Sequence, residues 1–144
     1  MGHGAIATYG DEATPESADA IETTFSLERD LQRALRTGIE QIEQGFKITD
    51  GGKERAVSFG RIDITAEDSA GATVVIELKA GAADRDAIAQ VLSYMGDITQ
   101  ASKAVRGIVI AGDFSPAAVA AARAVKNVKL MKYKYRFGFE TIEP

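Results

Sequence analysis

The sequence predicts an α/β domain, a mixed sheet flanked by helices, with elements in the order α-β-β-β-α-β-α-β. Three observations carry this expectation. Apolar residues recur at spacings of three and four in long stretches, the mark of helices that bury one face. Short β-branched runs, Val74-Val75-Ile76 and Ile108-Val109-Ile110, are bounded by turn residues and read as buried strands. A helical segment separates these two strands, which favours a parallel pairing.

Leu27, Leu31, Ala34, Leu35, Ile39 and Ile42 form the first helical stripe, with Ser26 as its N-cap and Gly45 as its stop. A short strand is expected around Phe46 to Ile48, then a turn at Asp50-Gly51-Gly52. A strand over Ala56 to Thr65, the turn Asp68-Ser69-Ala70-Gly71 and a strand from Thr73 to Lys79 read as an antiparallel hairpin. Asp84 caps a second helix reaching about Ala101, with Ile88, Val91, Leu92, Met95 and Ile98 inward. Gly107 to Ala111 is a fully apolar strand. Ser115-Pro116 opens a third helix as N-cap and first helical residue, ending near Lys126. The last strand is expected from Val128 to Phe137.

At 144 residues the chain fits one domain with its own core. Its 45% hydrophobic and 26% charged content is ordinary for a soluble globular protein. The absence of cysteine excludes disulfides and thiolate metal sites, and the lone His3 cannot build a histidine triad or zinc site. No apolar run approaches the roughly 20 residues of a membrane span. Nor does the N-terminus read as a signal peptide. A cytoplasmic protein without membrane partners is the expectation.

The net charge of −4 is unevenly spread. Residues 1 to 24 hold five acids and no Lys or Arg, and read as a flexible acidic tail before a domain over 25 to 144. That domain has 17 basic against 16 acidic residues. From Arg123 to Arg136 there are six basic residues and no acid, which suits a polyanion or simply a solvated edge. Lys132, Lys134 and Arg136 alternate with Tyr133, Tyr135 and Phe137. The basic row would track a phosphate backbone; the aromatic row would either stack on bases or, the favoured reading, turn to the core.

Asp63, Glu77 and Lys79 sit inside strand-like runs, where desolvating an unpaired ion costs several kcal/mol. Glu77 and Lys79 project from one strand face about 6.6 Å apart, while Val74, Ile76 and Leu78 fill the other. Two carboxylates, with the Leu78 carbonyl, would hold Mg²⁺ or Mn²⁺, and the ammonium would stand beside an activated water. The competing account is a structural pair with Lys79. Glu28, on the margin of the first stripe, would approach the ion or serve only the helix dipole. Gln90 and Tyr94 share one helix face and would touch a phosphate or the scissile nucleotide, or equally be ordinary half-buried polar residues at a helix edge. Arg61 would share a strand face with Asp63 and contact phosphate or pair with an acid.

Asp63, thirteen intervening residues and then Glu77-Leu78-Lys79 resemble the PD-(D/E)XK nuclease signature, with Ile62 where proline is frequent. The runs Gly60-Arg61-Ile62-Asp63-Ile64, Val75 to Gly81 and Gln90 to Tyr94 are similar to the nuclease domain of the NucS (EndoMS) endonucleases. The likeness covers about residues 25 to 140. It implies a restriction-endonuclease-like fold and a metal-dependent DNA endonuclease. It further implies Asp63, Glu77 and Lys79 as catalytic, supported by Glu28, Gln90 and Tyr94. Mismatched, branched or single-stranded DNA would be the substrate. Full-length members of that family carry a separate N-terminal DNA-binding and dimerisation domain, which a 24-residue tail is too short to be. A homodimer therefore stays open. The other readings are a nuclease that resolves Holliday junctions and a non-catalytic nucleic-acid-binding module.

Overall fold

The computed structural model describes residues 15 to 99 and 103 to 144, with side chains from residue 26 onward. Residues 1 to 14, most of the expected acidic tail together with His3, lie outside the described residues. Helix α1 runs Pro15–Thr37, beginning well before Ser26, which therefore lies within the helix and is not its cap. The physical reason is local: a proline preset for the first helical position is followed by good helix formers. At the other end, Gly38 leaves helical geometry at φ −140° and ψ 60°. Ile39 consequently falls in a separate 3₁₀ turn, Ile39–Gln41, still buried on the same side.

Five strands form the main sheet: β1 (Lys47–Ile48), β4 (Ile64–Glu67), β5 (Thr73–Ala83), β6 (Val105–Phe114) and β7 (Val128–Lys132), ordered β1-β4-β5-β6-β7. The β4–β5 pairing is antiparallel, with Ile64 opposite Ile76, as the hairpin pattern requires. Strands β5, β6 and β7 run parallel. The single strand expected over Ala56 to Thr65 is instead broken in two places. Residues β2 (Arg55–Val57) and β3 (Gly60–Ile62) make a small separate hairpin, and Asp63 separates it from β4. Helix α2 (Arg85–Ile98) is capped by Asp84, and α3 (Pro116–Arg123) by Ser115, whose hydroxyl accepts from Ala118 N at 3.1 Å.

The sheet separates two apolar layers. On the α1 side, Leu35, Ile39 and Phe46 pack on Ile64, Val74, Ile76, Leu78, Ile108 and Ile110. On the other, Ala87, Ile88, Val91 and Tyr94 of α2 and Ala118 and Ala122 of α3 cover Val75, Val109 and Ala111. Both faces of β5 and β6 are thus buried, which explains their continuous apolar runs. Alternation along β5 puts Val74, Ile76 and Leu78 on the α1 side and leaves Glu77 and Lys79 on the face of Val75.

The last strand stops five residues earlier than expected. Tyr133 N still donates to Ala111 O at 3.1 Å, but residues 133 to 144 form no regular element. Tyr133 packs against the α1-side core, whereas Tyr135, Phe137 and Phe139 are exposed. The aromatic row is therefore not core beyond Tyr133, because the sheet that would bury it has ended. Ile76 is fully buried in the central strand. Ile76→Ala should cost about 2–5 kcal/mol in chemical denaturation, and a loss below about 1 kcal/mol would contradict the packing described.

Candidate active site

The interruption of the sheet at Asp63 is what gives its side chain a direction of its own. Ile62 packs on the α2 side and Ile64 on the α1 side, and the half-buried residue between them belongs to neither strand. Asp63 Oδ2 accepts a hydrogen bond from Leu78 N at 2.8 Å, taking the place of a strand partner. Its backbone is held as well, since Arg36 Nη2 donates to Asp63 O at 2.8 Å. The same guanidinium grips Asp50 through two contacts of 2.7 and 2.8 Å. Asp50 Oδ2 accepts from Thr65 N at 3.0 Å, two residues beyond the break. Helix α1 and the turn after β1 therefore clamp the chain on both sides of Asp63.

Burial disfavours charge on Asp50, but the bonds from Arg36 and from the Thr65 and Gly52 amides outweigh it and hold the carboxyl below its usual range. Neither Arg36 nor Asp50 stood out in the sequence. The signal available was an arginine eight residues after Glu28, two turns along one helix face, and an acid inside a glycine turn.

Glu77 reaches the same corner from β5. Its side chain is only 4% exposed and lies within hydrogen-bonding reach of the Asp63 carboxyl. Burial first, then the bond and the charge of Asp63, push its pKa up to about 9, while Lys79 pulls the other way. Lys79 Nζ stands 4.0 Å from Glu77 Oε2 and remains about one-third exposed. The three residues singled out by spacing thus meet in space.

Strand β5 bulges immediately afterwards, its register against β6 shifting between Lys79 and Ala82. Side chains hold the freed peptide of Ala80. Glu28 Oε1 accepts from Ala80 N at 3.2 Å, and the Tyr133 hydroxyl donates to Ala80 O. Gly112 is needed opposite, because a Cβ there would lie 2.9 Å from Ala80 O. Bulges of this kind re-aim neighbouring side chains, here Lys79.

A groove of about 420 Å³ opens onto this corner, lined by Glu28, Arg29, Gln32, Glu54, Asp63 and Leu78. Gln90 and Tyr94 do not line it. Gln90 Nε2 donates to the Tyr94 hydroxyl at 2.8 Å, and that hydroxyl packs where a Cβ on Gly60 (φ +147°) would come within 2.6 Å. Tyr94 is 2% exposed, so the pair braces the β2–β3 hairpin. Arg61 lies in β3, on a different strand from the break, and lines a neighbouring groove with Arg29. Of the C-terminal basic row, Lys132 is paired with Asp113 at 3.2 Å, and Lys134 lines a further groove beside Leu27 and Leu31.

Among the described residues no group of three His, Cys, Asp or Glu side chains is arranged to hold an ion. The donor set at the corner is two carboxylates and backbone. In an extended strand one residue's N–H and C=O point to the same edge, so the Leu78 carbonyl faces the side from which its N–H reaches Asp63. That set suits a hard cation which keeps several waters and takes its remaining oxygens from a phosphate.

Two outcomes follow from this geometry. An acid with a raised folded pKa lends stability that is complete below about pH 4.5 and drains away as pH climbs towards 9. In chelator, the melting temperature should fall across that interval, and Glu77→Gln should flatten the decline and raise the midpoint at pH 8. Identical slopes in both proteins would contradict the shared-corner geometry. Arg36→Ala leaves Asp50, 1% exposed, without its partner and should cost about 3–5 kcal/mol in chemical denaturation. Arg36→Lys should recover only part, since one ammonium cannot reproduce the fork.

The fold has known counterparts. The chain is 37% identical over 94 residues to Endonuclease NucS of Arthrobacter sp. (strain FB24), covering 64% of this chain and 39% of that protein. It is 34% identical over 99 residues to Endonuclease NucS of Kocuria rhizophila, covering 67% of this chain and 42% of that protein. The chain therefore spans about two fifths of the length of these curated relatives. A solved structure described as an EndoMS–dsDNA2 complex superposes with a TM-score of 0.68 at 25% identity, over 88% of this chain and 48% of the other. Residues 27–135 match the model of the Endonuclease NucS C-terminal domain, and the chain belongs to that family.

Proposed function

We propose that this domain is a metal-dependent DNA endonuclease of PD-(D/E)XK type, which hydrolyses phosphodiester bonds at the Asp63–Glu77–Lys79 corner. The observation that carries the reading is the convergence of Asp63 and a buried Glu77 beside a one-third-exposed Lys79, with Asp63 lining a groove open to solvent. Family membership supports it, as does the likeness to EndoMS described in complex with double-stranded DNA.

Asp63 and Glu77, with the Leu78 carbonyl, would hold Mg²⁺ or Mn²⁺. Such an ion, when bound, offsets charge on the phosphate oxygens and makes a water more acidic. The chain's own part is to prepare that corner. Leu78 N fixes one Asp63 oxygen and the Arg36 fork fixes its backbone, so the carboxylate needs little reorganisation to receive a ligand. Burial beside Asp63 favours the protonated form of Glu77, which would have to be ionised to serve as a cation ligand. Lys79 orients the attacking water or steadies charge gathering on the phosphate. Glu28 holds the Ala80 peptide and so sets where the bulge directs Lys79.

The test is cleavage of duplex, mismatched, flapped, single-stranded and four-way-junction DNA with Mg²⁺ or Mn²⁺. Wild type should cut at least one of these. Asp63→Ala, Glu77→Gln and Lys79→Ala should each lose at least about a hundredfold in rate, in line with removal of a charge-stabilising group. Equal rates in wild type and variants would reject the assignment. Preference for the junction over flaps and mismatches would favour the junction-resolving alternative.

A further inference from the structure

A second groove of about 460 Å³ runs alongside the first, between the exposed face of α1 and the loop after β1. Its walls gather Arg29, Arg33, Lys53 and Arg61. Arg29, Gln32 and Glu54 line both grooves, so the basic one opens directly towards Asp63.

The charge of this groove is available. Among the described residues, Arg29, Lys53 and Arg61 form no ion pair. Arg33 meets Asp30 only at 3.7 Å, with both side chains largely in water, a contact worth little. Glu54, the acid in the wall, accepts from Gln32 Nε2 at 3.1 Å. Arg36 contributes no free charge, because Asp50 and the Asp63 carbonyl occupy it. By contrast, Lys132 of the C-terminal basic row is neutralised by Asp113.

We propose that this groove is the track for the phosphodiester backbone of the strand to be cut, with Arg29, Arg33, Lys53 and Arg61 as its phosphate contacts. The inference rests on the nuclease reading and deepens it by naming the path of the strand. Arg29 and Arg33 are one helical turn apart on one face, about 6 Å along the axis. A DNA strand advances roughly 3.4 Å per nucleotide, so the two guanidinium groups span two phosphates. Guanidinium groups bind phosphate through paired N–H donors, and none of the four needs a base edge. The track is therefore indifferent to sequence, and the phosphate following Arg29 arrives at the carboxylate corner.

The experiment measures binding of labelled single-stranded and duplex DNA by fluorescence anisotropy in chelator, over a salt series. It compares wild type, Arg29→Ala/Arg33→Ala, Arg29→Lys/Arg33→Lys and the charge-matched control Lys47→Ala/Arg85→Ala, two exposed residues outside both grooves. Wild-type cleavage is assayed in parallel. The alanine pair should raise Kd at least about tenfold at low salt and lower the slope of log Kd against log salt by roughly 1.5, from about 0.7–0.9 per lost contact. The lysine pair should stay within about threefold of wild type, and all four proteins should melt together, since these side chains are exposed. If the alanine pair binds no more weakly than the control, the track is overturned, even where wild type cleaves DNA. If the alanine pair loses affinity while wild type cleaves nothing, the groove still binds the phosphodiester backbone, and the nuclease reading falls together with the claim that the bound strand is the one cut.

Discussion

Two carboxyl groups, Asp63 and Glu77, meet at one corner of this sheet, where burial and the neighbouring Asp63 disfavour charge on Glu77. Everything at the site is arranged around that constraint. Glu77 lies in the central strand, walled by apolar layers, with Asp63 as its immediate neighbour. A purely structural pair would have Lys79 close the circuit, yet its ammonium stands 4.0 Å away and one-third exposed, too loose to cancel the cost of a buried charge. A carboxyl group kept from ionising in this way adds no stability at neutral pH, and such groups cluster at functional sites.

The scaffold meets this demand with two departures from regular structure, one on each strand. The break at Asp63 is closed by Arg36, Asp50 and Leu78 N. The bulge after Lys79 is closed by Glu28 and Tyr133, which satisfy the two backbone groups of Ala80. Backbone groups freed from a ladder inside a protein must find partners. Here the partners come from α1 and from the residue just past β7, which ties distant parts of the chain to the strands that carry the carboxylates. Helix α1 is consequently both cover for the core, through Leu35, and frame for the site, through Glu28 and Arg36.

What could be read in the sequence follows from the range of the forces involved. The β4–β5 hairpin, the parallel strand β6 and the caps Asp84 and Ser115 are written in local chemistry, and all stand in the structure. Asp63, Glu77 and Lys79 were visible because charge within β-branched runs is conspicuous. The break at Asp63 was not, since a run such as Gly60 to Thr65 carries no turn signal and is interrupted only by bonds to residues far along the chain. Arg36 and Asp50 were hidden for the same reason. Tyr94 was placed at a phosphate because it shares a face with Gln90, but a hydroxyl packed against Gly60 satisfies that spacing equally well. Tyr135 and Phe137 alternate like strand residues, yet alternation cannot say where the neighbouring strand ends.

Electrostatics accounts for the division of labour along α1. A corner built from Asp63, Glu77 and Glu28, in a chain of net charge −4, repels the polyanion it would act on. A bound cation would offset that repulsion only at contact distance, because at physiological salt the field is screened over about 8 Å. A backbone approaching the corner therefore needs attraction that begins earlier and lies to one side. Arg29 and Arg33 supply it from the same helix that supplies Glu28 and Arg36, one residue and five residues beyond Glu28. Because one helix carries both sets, the distance between the attracting charges and the side chains that hold Ala80 and Asp63 in place is fixed by backbone geometry and does not depend on a flexible loop. Positioning, which is most of what a protein contributes to phosphoryl chemistry, is in this way built into a single rigid element.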